Sequence, residues 1–196
     1  MASSPEPSVQ LAAAQVLLAS DHTKEALACV SEGATMEHFA TILQIYLKID
    51  RLDLAKQQLA GMRKMDEDAV LTVLGSVYCN LATGSTGAAD AVHSLNSLTE
   101  QYGASPLLLN LMACALMQSA DYGAAEEKLQ ECLRDFSETI IPDTLVNLIA
   151  CSIQQSKPVD NYVAQMKQQY PSHSFCAGLD RVTAAFDREA IKYHVS

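Results

Sequence analysis

The chain has 196 residues, 49% of them apolar, enough for one ordinary domain or a short repeat array. Its 13 basic and 23 acidic side chains leave a net charge of −10, a field that repels nucleic-acid phosphates and anionic membrane surfaces, and no basic cluster exceeds Arg63-Lys64. Nucleic-acid binding and direct membrane binding are therefore not expected.

Alanine and leucine dominate and tryptophan is absent. Such a composition favours helix, because small and straight-chain side chains lose little rotamer freedom there. Residues 1–7 carry Pro5 and Pro7 and no basic flank, which predicts an irregular start and no secretory leader. Helices are predicted over 8–20 and 23–31. The next, 35–48, shows one apolar stripe in Phe39, Ile42, Leu43, Tyr46 and Leu47. A helix over 51–64 ends on Arg63-Lys64, and one over 67–82 opens on Asp66-Glu67-Asp68, each sign matching the helix dipole. Gly84 to Gly87 marks a break before a helix over 87–102. Ser105-Pro106 reads as an N-cap and first helical position for 106–118. Helix 121–136 carries the stripe Ala125, Leu129, Cys132, Leu133, Phe136. Helices over 142–155 and 159–169 flank Lys157-Pro158, and Tyr170-Pro171 precedes a last helix over 173–193 with Phe175, Leu179, Val182 and Phe186 on one face. No segment alternates like a strand, and short links make sequence neighbours pack antiparallel.

The chain repeats itself. Asn110 to Ala120 reads NLMACALMQSA and Asn147 to Lys157 reads NLIACSIQQSK, an offset of 37 residues. Small residues recur where paired helices would cross: Ala14, Gly75, Ala113 and Ala150, with Leu43 as a bulky exception. Residues 82–88 read as an insertion. These features predict an all-α, tetratricopeptide-like solenoid of about five helical hairpins plus a C-terminal helix. It forms one unit over 1–196, with 1–7 disordered and 173–196 as final helix and tail.

In such an array the first helix of each hairpin lines the concave face. The predicted lining is Leu11, Gln15 and Leu18, then Ala40, Gln44 and Leu47, then Thr72, Ser76 and Cys79, then Leu107, Asn110, Cys114 and Met117. Asn147, Cys151 and Gln154 follow. None is charged. Amides offer donor and acceptor together, and apolar neighbours supply burial, so an extended strand or hairpin of another protein is the expected visitor.

Catalytic chemistry is not expected. The six cysteines lack C-x-x-C spacing and sit in apolar helical patterns, as reduced core thiols do. The five histidines show no metal-ligand spacing; His22 and His173 read as turn or cap residues. There is no phosphate loop and no nucleophile elbow. No enzyme activity, cofactor or metal is expected, and the default location is cytosolic.

Several blocks are more specific. Leu47 to Leu74 reads LKIDRLDLAKQQLAGMRKMDEDAVLTVL, residues 81–84 read LATG, Leu107 to Leu111 reads LLLNL, Asp121 to Leu133 reads DYGAAEEKLQECL, and Thr144 to Ile149 reads TLVNLI. From about Thr35 onward the chain resembles the coatomer epsilon-subunit family. The resemblance implies a scaffold of the vesicle coat in Golgi-to-endoplasmic-reticulum transport, peripheral on Golgi and coated-vesicle membranes, whose concave face wraps the C-terminal domain of the coatomer alpha subunit. A generic peptide-binding adaptor or co-chaperone is the other reading. It needs inward cations, for which Lys24 or Lys48 are the ones to examine. Family members are longer, with further helices ahead of the matched region; a form lacking them is expected to expose its first helix and self-associate. The tail Lys192-Tyr193-His194-Val195-Ser196 also resembles a K-x-H-x-x retrieval signal of membrane cargo, a match expected to be coincidental.

Overall fold

A computed structural model describes residues 6–138 and 141–193. Eleven α-helices and no strands occur among them. They gather into two compact units, one ending at Gln101 and one beginning at Tyr102, where the sequence suggests no boundary. Residues 1–5, within the stretch expected to be irregular, and 194–196 of the K-x-H-x-x match lie outside the described residues.

The first unit holds α1 (Pro7–Ala19), α2 (Thr23–Val30), α3 (Met36–Lys48), α4 (Leu52–Met65), α5 (Val70–Thr83) and α6, which runs Ser85–Tyr102 to the boundary. Pro7 opens α1, because a residue without N–H loses nothing in the first turn. α1 packs on α2 and α3 on α4. Each hairpin then stacks on the next through α1 with α3, α2 with α3, α3 with α5 and α4 with α5. Ala14, Leu18, Ala26, Val30, Ile42 and Ile45 form one core. Leu43, Ala55, Leu59, Met62 and Cys79 form the next. Each fully buried Leu, Ile or Met there contributes about 2 kcal/mol.

The bulky Leu43 at a predicted small position has a local compensation. Gly75 lies opposite, and a Cβ there would stand 3.2 Å from Leu43 Cδ1. The expected insertion at 82–88 is not a loop. α5 runs to Thr83, a single Gly84 at φ 85° and ψ −153° makes the joint, and α6 starts at Ser85. That backbone region suits glycine alone, so one residue replaces a longer turn. Gly87 then lies against the α5 backbone; a Cβ would meet Asn80 O at 2.3 Å.

The second unit holds α7 (Pro106–Gln118), α8 (Tyr122–Asp135), α9 (Pro142–Gln154), α10 (Asp160–Gln169) and α11 (Ser174–Lys192). Ser105 caps α7 by accepting from Leu108 N, with Pro106 in the first turn. α7 pairs with α8 and α9 with α10, and α9 stacks on both α7 and α8. Ala113, Ala125, Leu129, Leu148 and Cys151 form its main core. Ala150, the equivalent of Ala113 one repeat on, is exposed, and Cys151 is the buried neighbour instead. α11 anchors through its first two turns: Cys176 and Phe175 join Leu145 and Met166, and Asp180 accepts from Lys167 Nζ at 2.7 Å. Farther along, Val182 and Phe186 of the predicted stripe are 63% and 68% exposed.

One turn recurs in four of the hairpins. Asp21, Asp50, Ala120 and Ser156 all adopt a left-handed backbone, with φ 57–59°. At each, the left-handed N–H bonds back three residues and the following N–H bonds back five: Asp21 N to Leu18 O and His22 N to Leu17 O, Asp50 N to Leu47 O and Arg51 N to Tyr46 O, with the same pairs around Ala120 and Ser156. This is the Schellman closure, which satisfies carbonyls that a helix end otherwise leaves bare. With Gly84, the turning residues stand at 21, 50, 84, 120 and 156. The repeat is therefore visible in the backbone even where side chains diverge.

Candidate functional site

Stacking of α1, α3 and α5 leaves an open groove of about 650 Å³ in the first unit. α1 contributes Gln15 and Leu18, and α3 contributes Ala40, Gln44 and Leu47, all five at positions read from the sequence. Ala19 and Leu43 join them. Leu11 is half-buried and packs on the α1–α2 core rather than lining the groove.

α5 is turned differently from expectation. Its groove side carries Leu71, Leu74, Gly75 and Tyr78. Thr72 is 1% exposed and donates to Asp66 O at 2.8 Å. Cys79 is 1% exposed and packs in the core with Leu43, Leu59 and Met62. Ser76 accepts from Arg63 Nη2 at 3.1 Å, which places it toward α4. The face assigned to the groove is thus the packing face, one residue out of register. A step of one residue rotates a helical position by about 100°.

Among the described residues, one charged side chain lines the groove, Lys48. Its ammonium donates to Leu18 O at 2.9 Å and to Asp21 Oδ1 at 2.8 Å. The Asp21 carboxyl is held below its ordinary range, chiefly by that hydrogen bond and then by the charge of Lys48. A signal for Lys48 was present: it follows Gln44 by four residues on the same helix face. Lys24 lies elsewhere, in a shallower hollow with Asp21, His22, Glu25 and Ile49.

In the second unit, Leu107 is 44% exposed, and Cys114 and Met117 are half-buried. Asn110 is not available to a visitor. It is 5% exposed, its amide donates to Pro106 O and Thr144 Oγ1, both at 2.8 Å, and its carbonyl accepts from Asn147 Nδ2 at 3.0 Å. The two asparagines of the repeat form an internal amide ladder between α7 and α9. Burial pushes the Cys114 thiol up, so it stays protonated, and burial does the same at Cys79 and Cys151. Cys151 donates to Tyr122 O at 3.1 Å.

The six cysteines are free thiols, four of them buried. His22 and His173 occupy N-cap positions of α2 and α11, and His173 Nδ1 accepts from Phe175 N. His38 is fully buried between Thr35 Oγ1 at 2.8 Å and Gln10 Oε1 at 3.1 Å. Among the described residues no group of three His, Cys, Asp or Glu could hold a metal, and no helix is long and apolar enough to cross a membrane.

Comparison with known proteins places this geometry. A solved tetratricopeptide repeat protein from Parabacteroides merdae superposes with a TM-score of 0.74, covering 90% of this chain and 70% of that one at 12% identity, a likeness of fold alone. Coatomer subunit epsilon-1 of Arabidopsis thaliana is 33% identical over 165 residues, 84% of this chain and 56% of the relative. Coatomer subunit epsilon-2 of Oryza sativa subsp. japonica is 33% identical over 182 residues, 93% and 61%. The Dictyostelium discoideum epsilon subunit is 32% identical over 167 residues, 83% and 55%. The chain thus spans a little over half the length of these relatives. The family model of the coatomer epsilon subunit matches residues 2–194, which is nearly the whole sequence, and the chain belongs to that family.

Proposed function

We propose that this chain is a non-enzymatic scaffold of the coatomer vesicle coat, and that it holds the C-terminal domain of the alpha subunit in the groove between α1, α3 and α5. The setting is Golgi-to-endoplasmic-reticulum transport, with the protein in the cytoplasm and peripheral on coated membranes through its complex. The observation that carries the reading is the groove itself. It is about 650 Å³ in volume, walled by leucines and edged by the amides of Gln15 and Gln44. Apolar walls reward burial, and amides pair with a partner backbone without demanding a charge.

The adaptor reading is less well supported. A clamp for acidic tails needs free inward cations, whereas Lys48 already bonds Asp21 and a main-chain carbonyl.

Co-expression with the C-terminal domain of the alpha subunit tests the proposal. The two should co-elute on size exclusion. Ala40→Glu, which puts a carboxylate among the leucines, should abolish co-elution while leaving the helical circular-dichroism spectrum intact. Absence of a wild-type complex, or a complex indifferent to Ala40→Glu, contradicts it.

A further inference from the structure

Lys48 is the one charged residue lining the groove among the described residues, and its ammonium has three hydrogens to give. Two are committed, to Leu18 O and Asp21 Oδ1. The side chain is 42% exposed and lines the groove, so the ammonium is not sealed from an occupant. Both committed acceptors belong to the end of α1 and its turn, so the bonds also fix where the ammonium sits. Leu18 O is one of the last carbonyls of α1, and it accepts from Lys48 and from Asp21 N together.

We infer that Lys48 is a specificity-determining anchor, pre-positioned by Asp21 and Leu18, that donates its third hydrogen to a backbone carbonyl of an extended, uncharged partner segment. This rests on the groove reading above and adds the identity of the group recognised. The preference for a neutral carbonyl follows from Asp21. Its carboxylate already neutralises the ammonium at 2.8 Å, so an incoming carboxylate would share that cation with a like charge. The amides of Gln15 and Gln44 carry no formal charge and match the same kind of visitor. A neutral donor in place of Lys48 would be weaker, since hydrogen bonds from an ionised donor are roughly twice as strong.

The test uses calorimetry to measure affinity for the same alpha-chain domain, in wild type, Lys48→Met and Asp21→Asn, with thermal unfolding of each variant alongside. Lys48→Met should weaken binding tenfold or more. Asp21→Asn keeps the ammonium and an acceptor oxygen beside it but loses the charge that holds it, so it should weaken binding several-fold, less than Lys48→Met, with little dependence on salt. If both variants lose affinity in step with their melting temperatures, the lysine only ties α1 to α3 and the inference falls. If Asp21→Asn binds several-fold tighter and salt abolishes the gain, the recognised group is a carboxylate and the inference falls likewise. Wild-type binding unchanged in Lys48→Met overturns the inference alone. No wild-type binding removes the groove reading and the inference with it.

Discussion

Single positions carry the cost of folding the hairpins back on themselves. Asp21 and Asp50 tolerate a left-handed backbone because a short polar side chain can bond locally, but Ala120 has no such relief at φ 59°. The left-handed region costs an L-residue roughly 1–2 kcal/mol, and glycine avoids it at an entropic cost of about 0.5–1 kcal/mol. Ala120→Gly should therefore stabilise the second unit by about 0.5–1 kcal/mol, read as a higher urea midpoint; a lower midpoint contradicts the turn assignment. Gly87 predicts the opposite sign. Alanine gains about 1 kcal/mol of helix propensity. Its Cβ, however, would press on Asn80 O at 2.3 Å, a main-chain atom that cannot swing aside. Strain of that kind costs typically 1–3 kcal/mol, so Gly87→Ala should lower stability by about 2 kcal/mol. A neutral outcome would mean that α5 and α6 do not approach so closely.

At the scale of helices, the internal amide ladder makes a firm prediction. Asn110→Ala removes both donors and the acceptor of a buried amide and leaves Thr144 and Asn147 without those partners. The loss should be about 2 kcal/mol, from the penalty of stranded polar groups, and a change below about 0.5 kcal/mol would contradict the network. Helix positions were largely legible in the sequence, because proline, glycine and charge mark their ends: Ser105-Pro106 opens α7 and Lys157-Pro158 separates α9 from α10. The groove faces of α1 and α3 were legible for the same reason, since Gln15 and Gln44 stand out from apolar surroundings. α5 was not. Val70 to Thr83 contains no charged residue, so polarity does not say which side faces solvent. Only the packing of Gly75 against Leu43 decides it. Nor could spacing reveal that Asn110 is consumed. Its partner Thr144 lies 34 residues on and meets it only once α9 stacks on α7. The stripe on α11 is helical as its spacing predicts, yet periodicity alone does not say that a face is covered, and Val182 and Phe186 stand exposed.

At the scale of the molecule, family membership and fold have separate supports. Relatives near one-third identity fix the first, and a repeat protein of 12% identity fixes the second. The backbone explains how both hold together: hairpins closed by the same turn stack by the same rule while surface residues drift. The first unit adds, among the described residues, a groove whose one charged lining residue is a lysine bonded to Asp21. The most direct test of that account is a calorimetric titration. The C-terminal domain of the alpha subunit is titrated into wild type, into Leu74→Glu inside the groove, and into Ala60→Glu on the exposed side of α4. The account predicts saturable binding by wild type and by Ala60→Glu, and at least a tenfold loss for Leu74→Glu with its helical signal retained. Equal affinity for all three, or no binding by the wild type, would contradict it.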